Sequence, residues 1–299
     1  MITSYTNIDA GHKGLLDYVT DFAKRMPDPG KYIIGKTMNS TQLYEEIAVL
    51  SGLRNAERLN EGAKMVYDTL TTPFKKRYYP HLYAMGVKWS DQAQFTDQYG
   101  ILSRNKDWIA RSHYYAKQIK IADIVNYSET SGYTGIDGVV LASASHPLAD
   151  GSTYSNLSTA ATFSVAALET MLTDMLGHKH YRGQPYIPVD GHNLIIPNAL
   201  DIRAKRVLNS MNQPGTADND KNVVRESVTY VGANPFLTST TRYALIPKSE
   251  NPIFMLEGKP MSTTQSFNAD DQLEHRLAVW CGYETGWLLP MGTQFNAGA

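Results

Sequence analysis

The apolar positions of the chain form helical stripes in some stretches and strand-like alternation in others. Leu15, Leu16, Val19, Phe22 and Ala23 share one helical face, and Pro27 and Pro29 end that helix. Short extended pieces follow, then "STQLYEEIAVLSGL" and a polar, charged section reaching to about residue 86. Within it "MVYDTL" and "KKRYYPHLYAMG" alternate bulky and polar residues, with "TTPF" as the turn between two strands. Such a hairpin holds too few apolar residues to pack as its own core, so it is expected to lie across something else, such as a neighbouring subunit. Over 91–126 the pattern turns helical. Trp108, Tyr115, Ile119 and Ala122 share a face, and Ser90 stands where an N-cap belongs. A helix of about 30 residues is far longer than the ordinary mean of ~11–12. Beside a β-rich remainder it reads as a structural spine.

"SETSGYTGIDG" reads as a loop, and "VVLASASHPLADGSTYSNLSTAATF" as extended and turn-rich. A second helix then carries strong start signals. Ser164 is its N-cap, and Phe163 with Leu168 forms the hydrophobic staple. Leu168, Met171, Leu172, Met175 and Leu176 make the buried stripe, and Gly177 ends it. A short strand is predicted over 193–196, and Pro197 with Asn198 as cap leads into a helix over 199–209. "MNQPGTADNDKN" is a polar loop. The rest is strand-rich: "VVRESVTYVG", "RYALIPK", "PIFMLEG" and "EHRLAVWCGYETGWLLP". There is no internal repeat and no low-complexity tract.

Composition narrows the function more than the fold. The 299 residues are 42% hydrophobic, enough for a large core without staples, in one elaborate domain or two ordinary ones. A net charge of −1 supplies no basic excess for holding nucleic acid by phosphate neutralisation. The runs "KKR" at 75–77 and "RAKR" at 203–206 are too short to change that. Cys281 is the single cysteine, so no intrachain disulfide forms, which fits a reducing origin. The first residues lack the basic-then-apolar order of a signal peptide, and no run approaches ~20 apolar residues. Nineteen tyrosines against eight phenylalanines form a polar-tipped aromatic set suited to surfaces buried on partners.

One motif argues for chemistry. "GKYIIGKT", residues 30–37, fits the phosphate-loop pattern G-x-x-x-x-G-K-[ST], a match that chance gives in roughly one of a hundred such chains. A working phosphate loop follows a buried strand and opens a helix. Here a helix precedes it, and Tyr32, Ile33 and Ile34 read as a short strand, with Lys31 and Lys36 outward and Ile33 or Ile34 inward. No apolar strand ending in a magnesium-binding Asp accompanies it. His178 and His180, with His192, lack the cysteine or carboxylate set that standard metal spacing requires. Glu45-Glu46, Asp218/Asp220 and Asp270-Asp271 read as solvated surface or caps. Cys281, between Trp280 and Gly282 in an apolar strand, reads as a packed thiol. No G-x-S-x-G elbow is present. The sequence therefore predicts no enzyme, no cofactor and no metal.

"DGVVLASASHPLADGSTYSN" carries a D-G-x-x-L…H-P-L…D-G…x-N signature and resembles the major capsid proteins of tailed bacteriophages. "LYEEIAVLSGL", "NEGAKMVYD", "RYYPHLYAMGVKWSDQ", "DQYG" and "ADIVN" are similar to that family's first half. "GQPYIPVDGHNLIIPNALDIRAKRVLNS" is similar to its middle, and "HRLAVWCGYETGWL" to its closing strands. The resemblance covers about 40–290. It implies an α+β, Hong Kong 97-like capsid fold: an N-terminal arm over 1–42, an E-loop region over 43–90, a P-domain with the spine helix over 91–136, an A-domain over 137–250, and a return to P-domain strands over 251–299. It further implies a structural protein that self-assembles into pentamers and hexamers of an icosahedral virion shell around double-stranded DNA, without sequence-specific recognition and without a membrane. A separate scaffolding protein, a portal and decoration proteins are the other implied partners, and assembly is expected in the host bacterial cytoplasm. The implied subunit contacts are Lys64, Tyr67, Lys75, Lys76, Arg77, Tyr78 and Tyr79. Some relatives cross-link an E-loop lysine to a distant asparagine. Lys64, Lys75 or Lys76 and Asn296 are present, but these residue types are common and cross-linking is not expected. The alternatives are an encapsulin-like compartment of the same fold and a nucleotide-dependent enzyme built on residues 30–37. His146-Pro147 reads as an extended corner before the Asp150-Gly151 turn.

Overall fold

A computed structural model describes residues 17–19, 21–22, 24–96, 105–212, 221–268 and 273–299. Two sheets organise the chain. The first has four strands in the order β1 (Lys36–Asn39), β11 (Ile253–Asn268), β12 (Glu274–Trp287) and β4 (His81–Ser90). Strands β11, β12 and β4 run antiparallel, while β1 joins β11 in parallel. The second sheet has five strands in the order β7 (Leu157–Ser158), β13 (Gln294–Asn296), β10 (Tyr243–Pro247), β8 (His192–Pro197) and β9 (Val228–Asn234). Two small antiparallel ribbons complete the β-structure among the described residues: β2 (Glu45–Val49) with β3 (Phe74–Tyr78), and β5 (His146–Pro147) with β6 (Thr153–Tyr154).

Helix α3 (Asn105–Asn126) joins the two sheets. Near its start, Ile109 and Ala110 pack on Leu277 and Val279 of β12 and on Val19 of α1, the helix formed by the described residues of 17–25. Toward its end, Ile121, Ile124 and Val125 share one core with Ile195, Ala244 and Ile246 of the second sheet and Ile253, Met255, Tyr283 and Trp287 of the first. Lys120 of α3 also reaches Glu284 of β12 at 2.6 Å. Burial opposes the charge on Lys120, yet this pairing outweighs it and holds the lysine above its ordinary range. A second core lies under α4 (Val165–Leu176) and α5 (Asp201–Asn209), where Phe163, Leu168, Met171 and Met175 meet Leu194, Ile196, Ala204, Leu208 and Leu245. Strand β10 is buried along its whole length, as the unbroken apolar run of a central strand requires.

The start signals of α4 are real: Ser164 Oγ accepts from the Ala167 N–H at 3.2 Å, and Phe163 and Leu168 are buried together. Ser90 likewise accepts from Ala93 at 3.2 Å and caps α2 (Asp91–Phe95). Several expectations need correction. The expected helix over 91–126 is not one cylinder, because α2 stops at Phe95 and Thr96 is a turn. The stretch between Thr96 and α3 lies outside the described residues. The stripe Trp108, Tyr115 and Ile119 faces outward, with Trp108 67% exposed; only Ala122 of that set is buried. The inward face carries Ile109, Ala110, His113, Ile121, Ile124 and Val125 instead. Leu176 also leaves its predicted stripe and is exposed. Asn198 caps no helix; a 3-10 turn over Asn198–Leu200 leads into α5, and neither has a side-chain cap. "MVYDTL" forms no strand, and "TTPF" is no hairpin turn, since β3 pairs with the distant β2. The loop around 213–220 lies outside the described residues.

Candidate functional site

The ribbon β2–β3 is the root of a long loop over 50–73. Alternation along β3 sorts the expected contact residues onto two faces. Phe74, Lys76 and Tyr78 turn inward; Lys75 and Arg77 turn outward. Tyr78 is buried and sets its ring edge-on to Phe254 at 5.0 Å, while its hydroxyl donates to the Trp287 carbonyl at 3.0 Å. Lys76 is half-buried, and its ammonium donates to the Thr134 carbonyl. Desolvation pushes the Lys76 ammonium below its ordinary range, with Asp137 and Glu284 acting against that loss. Both residues thus anchor the root within their own chain. Outside, Glu46 pairs with Arg77 at 2.6 Å and Lys75 at 3.8 Å. The Arg77 guanidinium lies 4.9 Å from the Tyr44 ring, which in turn meets Tyr79 at 5.6 Å. At the corner where β3 passes into β4, Pro80 runs so close to Gly258 that a Cβ there would lie 2.5 Å from the proline ring. Gly258 sits in a register break of the β11–β12 ladder, so the bulge makes room for the corner.

Beyond the root the loop is open to solvent. Leu50, Leu53, Leu59, Met65, Val66, Tyr67 and Leu70 are all exposed, Tyr67 at 85%. Lys64 is exposed beside them. This is much apolar surface for one loop to leave in water.

The sequence signature around His146 builds a different site. His146 is buried, its Nδ1 2.7 Å from Asp137 Oδ2 and its Nε2 3.1 Å from Asn156 Oδ1. Asn156 Oδ1 also accepts from the Ser143 N–H at 2.8 Å, so it is an acceptor, and His146 Nε2 donates to it. The Asn156 amide donates to the Leu141 carbonyl at 2.7 Å. Asp150 and Gly151, the latter at φ +80°, make the turn between β5 and β6, as the extended-corner reading predicts. What spacing alone misses is that Asp137, His146 and Asn156 meet; their joint place in one signature is the signal that points to it.

Residues that suggested chemistry are otherwise engaged. In "GKYIIGKT" the Gly30 N–H donates to Gln118 Oε1 at 3.0 Å, Lys31 N–H to Asp28 at 3.2 Å, Ile33 and Ile34 to the Gly30 carbonyl, and Gly35 to Ile253 at 2.8 Å. No free cradle of amides is left for a phosphate. Pro29–Tyr32 is a 3-10 turn, where a strand was expected, and Lys36-Thr37 open β1, where a phosphate loop needs a helix. Ile33 is fully buried, and Lys31 and Lys36 are exposed, as expected. His178 accepts from the Gly292 N–H at 3.1 Å and donates to Gln294 at 2.9 Å. Burial lowers it to about 4, and His192 likewise to about 4. No group of metal-ligating side chains comes together among the described residues. Burial pushes the Cys281 thiol up to about 11, away from nucleophilic use. Asn296 is buried, its amide donating to Thr159 and accepting from Ala161 and Gly298, so an outside amine does not reach it. Glu46 of the acidic pair Glu45-Glu46 is held by Arg77, while Asp218/Asp220 and Asp270-Asp271 lie outside the described residues.

The fold is similar to solved capsid structures. That of the cyanophage P-SCSP1u superposes with a TM-score of 0.61 at 10% identity, covering 92% of this chain and 89% of that one. The mature capsid of bacteriophage PhiM1 gives 0.55 at 12% identity, covering 92% and 88%. The virus-like particle from Pyrococcus furiosus gives 0.51 at 8% identity, covering 95% and 98%. At such identities the likeness establishes the Hong Kong 97-like shell fold, and fold alone does not choose between a phage shell and a compartment. A search of curated protein sequences finds no match. The family model described as "Phage capsid protein" matches residues 75–294, from the outer face of β3 through the buried Asp137–His146–Asn156 network to β13. The chain belongs to the phage capsid protein family, and its role is structural, not enzymatic.

Proposed function

We propose that this is a major capsid protein whose copies assemble into pentamers and hexamers of an icosahedral shell around double-stranded DNA. The observation that carries the reading is the 50–73 loop, a long exposed segment rich in apolar side chains on a firmly anchored root. A lone subunit leaves this surface in water; a neighbour in a ring covers it. Heterologous contacts of that kind close into rings, and rings then join. Lys64, Tyr67, Lys75, Arg77 and Tyr79 are the side chains presented outward, and we assign them to the neighbouring subunit. Lys76 and Tyr78 hold the loop's base. The exposed stripe Trp108, Tyr115 and Ile119 on α3 is a second surface of the same character.

In this reading the N-terminal arm spans about 1–42, the E-loop region 43–90, the P-domain with the spine helix 91–136 and the A-domain 137–250, with 251–299 returning to P-domain strands. Near-neutral net charge suits a container for DNA that does not read its sequence. A scaffolding protein, a portal and decoration proteins are the further partners the family reading brings, with assembly in the host cytoplasm and the virion as destination. Negative-stain microscopy of the purified protein is the test. Closed shells or capsomer rings are expected, at high concentration or with scaffold added. A chain that stays monomeric at every concentration and salt, scaffold included, is not a shell subunit.

A further inference from the structure

The 50–73 loop leaves its root with little ladder to guide it. Its two limbs are joined by the Ser51 N–H donating to the Thr71 carbonyl at 2.8 Å and the Thr71 N–H donating to Ser51 Oγ at 3.2 Å. What fixes its direction comes from elsewhere in the chain. After α4 and its cap Gly177, residues 178–186 make a tight turn. His180 N–H donates to the Gln184 carbonyl, Gly183 N–H to the His180 carbonyl, and Gly183 sits at φ +86°. The turn is held from behind by the Ala149 N–H donating to the Tyr181 carbonyl at 2.8 Å. On its free side it meets both limbs of the loop. Arg182 Nη2 donates to Ser51 Oγ at 3.2 Å on one limb and to the Thr69 carbonyl at 3.1 Å on the other. Its Nη1 lies 3.6 Å from Asp68 Oδ2, and Asp68 in turn accepts from the Arg54 N–H at 2.9 Å. The backbone amides of Arg54 and Thr69 hold the Asp68 carboxyl below its ordinary range, so it remains charged opposite the guanidinium. Gln184 donates to the Leu53 carbonyl at 2.8 Å, and the Tyr181 ring meets Phe74 edge-on at 5.2 Å.

We propose that Arg182 is the positioning residue that sets the angle at which the assembly loop leaves the subunit, bridging both limbs so that the loop is aimed before a neighbour arrives. Only a planar fork makes these contacts at once; an ammonium is a single point charge. Loops held in the bound conformation in advance lose less on association. The inference rests on the reading of 50–73 as the intersubunit loop, and its test is arranged so that the two fail separately.

Hydrogen exchange on the full-length, unassembled subunit reads the clamp directly. Arg182→Ala is expected to speed exchange in peptides covering 51–71 by about tenfold, the scale of losing one charged hydrogen-bonded contact, with α3 unchanged. Asp68→Ala, which acts from the loop side, is expected to do the same, and Arg182→Lys to fall between. Glu57→Ala, exposed on the same loop but outside these contacts, serves as the control. Microscopy of the same proteins is expected to show fewer closed shells and more open or misshapen ones for Arg182→Ala, partly restored by Arg182→Lys. Unchanged exchange over 51–71 in both alanine variants overturns the proposal, as does an equal rise across the whole chain. If Arg182→Ala fails to fold, Asp68→Ala decides alone. If the wild type builds no shell, the shell reading fails while the exchange data still judge the clamp.

Discussion

Asn156→Ala isolates the buried polar network, because its side chain serves four partners and is wholly enclosed. It accepts from Ser143 N–H at 2.8 Å and His146 Nε2 at 3.1 Å, and donates to the Leu141 carbonyl at 2.7 Å and Thr293 Oγ1 at 3.4 Å. Alanine strands three well-placed groups, each at about 1–3 kcal/mol. The losses share one network and do not simply add, so about 4 kcal/mol is the expected total. Unfolding entropy of ~2.1 cal/mol/K per residue gives about 0.6 kcal/mol/K for a chain of this length, so the melting temperature should fall by about 6 °C. Calorimetry of the unassembled subunit at pH 7.5 measures it, with the exposed helix substitution Thr170→Ala as control, expected within ±0.5 kcal/mol. Asn156→Asp keeps an acceptor for His146 but turns a carboxylate oxygen toward the Leu141 carbonyl, so it should not rescue. A fall below about 2 °C for Asn156→Ala would show that these bonds do not hold the region together.

Two further outcomes follow from the packing and the titration of buried groups. Gly286→Ala places a Cβ 2.4 Å from Tyr78 and 2.9 Å from Phe254; it should cost about 1–3 kcal/mol and loosen the β3 root, read as lower melting temperature and faster exchange over 74–78. His178 and His192 have folded values of about 4 against 6.5, because burial disfavours their charged forms. The unfolded chain therefore binds more protons between pH 6.5 and 4, and stability is lost as pH falls through that window. At pH 5 the cost is about 2 kcal/mol for one such histidine, and His178→Gln should flatten the dependence of melting temperature on pH over this range.

The helices and strands that depend on local signals are legible in the sequence. Ser164, Phe163 and Leu168 locate α4 because capping and stapling are decided within one turn. Helix α3 ends at Asn126 as the pattern predicts, but it presents the opposite face to the body. It carries two apolar stripes, and periodicity does not say which meets its own chain. Trp108, Tyr115 and Ile119 face out, while Ala110, Ile121 and Ile124 meet the sheets. The loop root escapes sequence pattern for a related reason. Alternation in "MVYDTL" suggested a local partner, but β3 pairs with β2 across the loop, and such a pairing leaves no short-range mark. Among the proposed contacts, alternation along β3 separates Lys75 and Arg77 from Lys76 and Tyr78, a division that period-two patterning contains but which needs the position of the body to be oriented.

The buried polar network at His146 has a reason in the backbone around it. Residues 128–158 run between the two sheets with only two-residue strands, so most of their N–H and C=O groups lack a ladder partner. Buried backbone groups need partners from somewhere. Asn156 supplies them for Ser143 and Leu141, Asp137 for Val139 at 3.2 Å, and Arg242 for the carbonyls of Val125 and Asn126 at the end of α3. His146 then links Asp137 to Asn156 and so fixes one irregular segment against the other. An apolar core of the same volume would leave those backbone groups unpaired, whereas this network satisfies them in a single arrangement. The same segment contributes Thr134, whose carbonyl receives Lys76 from the loop root. The signature that reads in sequence as an extended corner therefore acts as a frame: it holds the segment on which the root of the 50–73 loop is anchored.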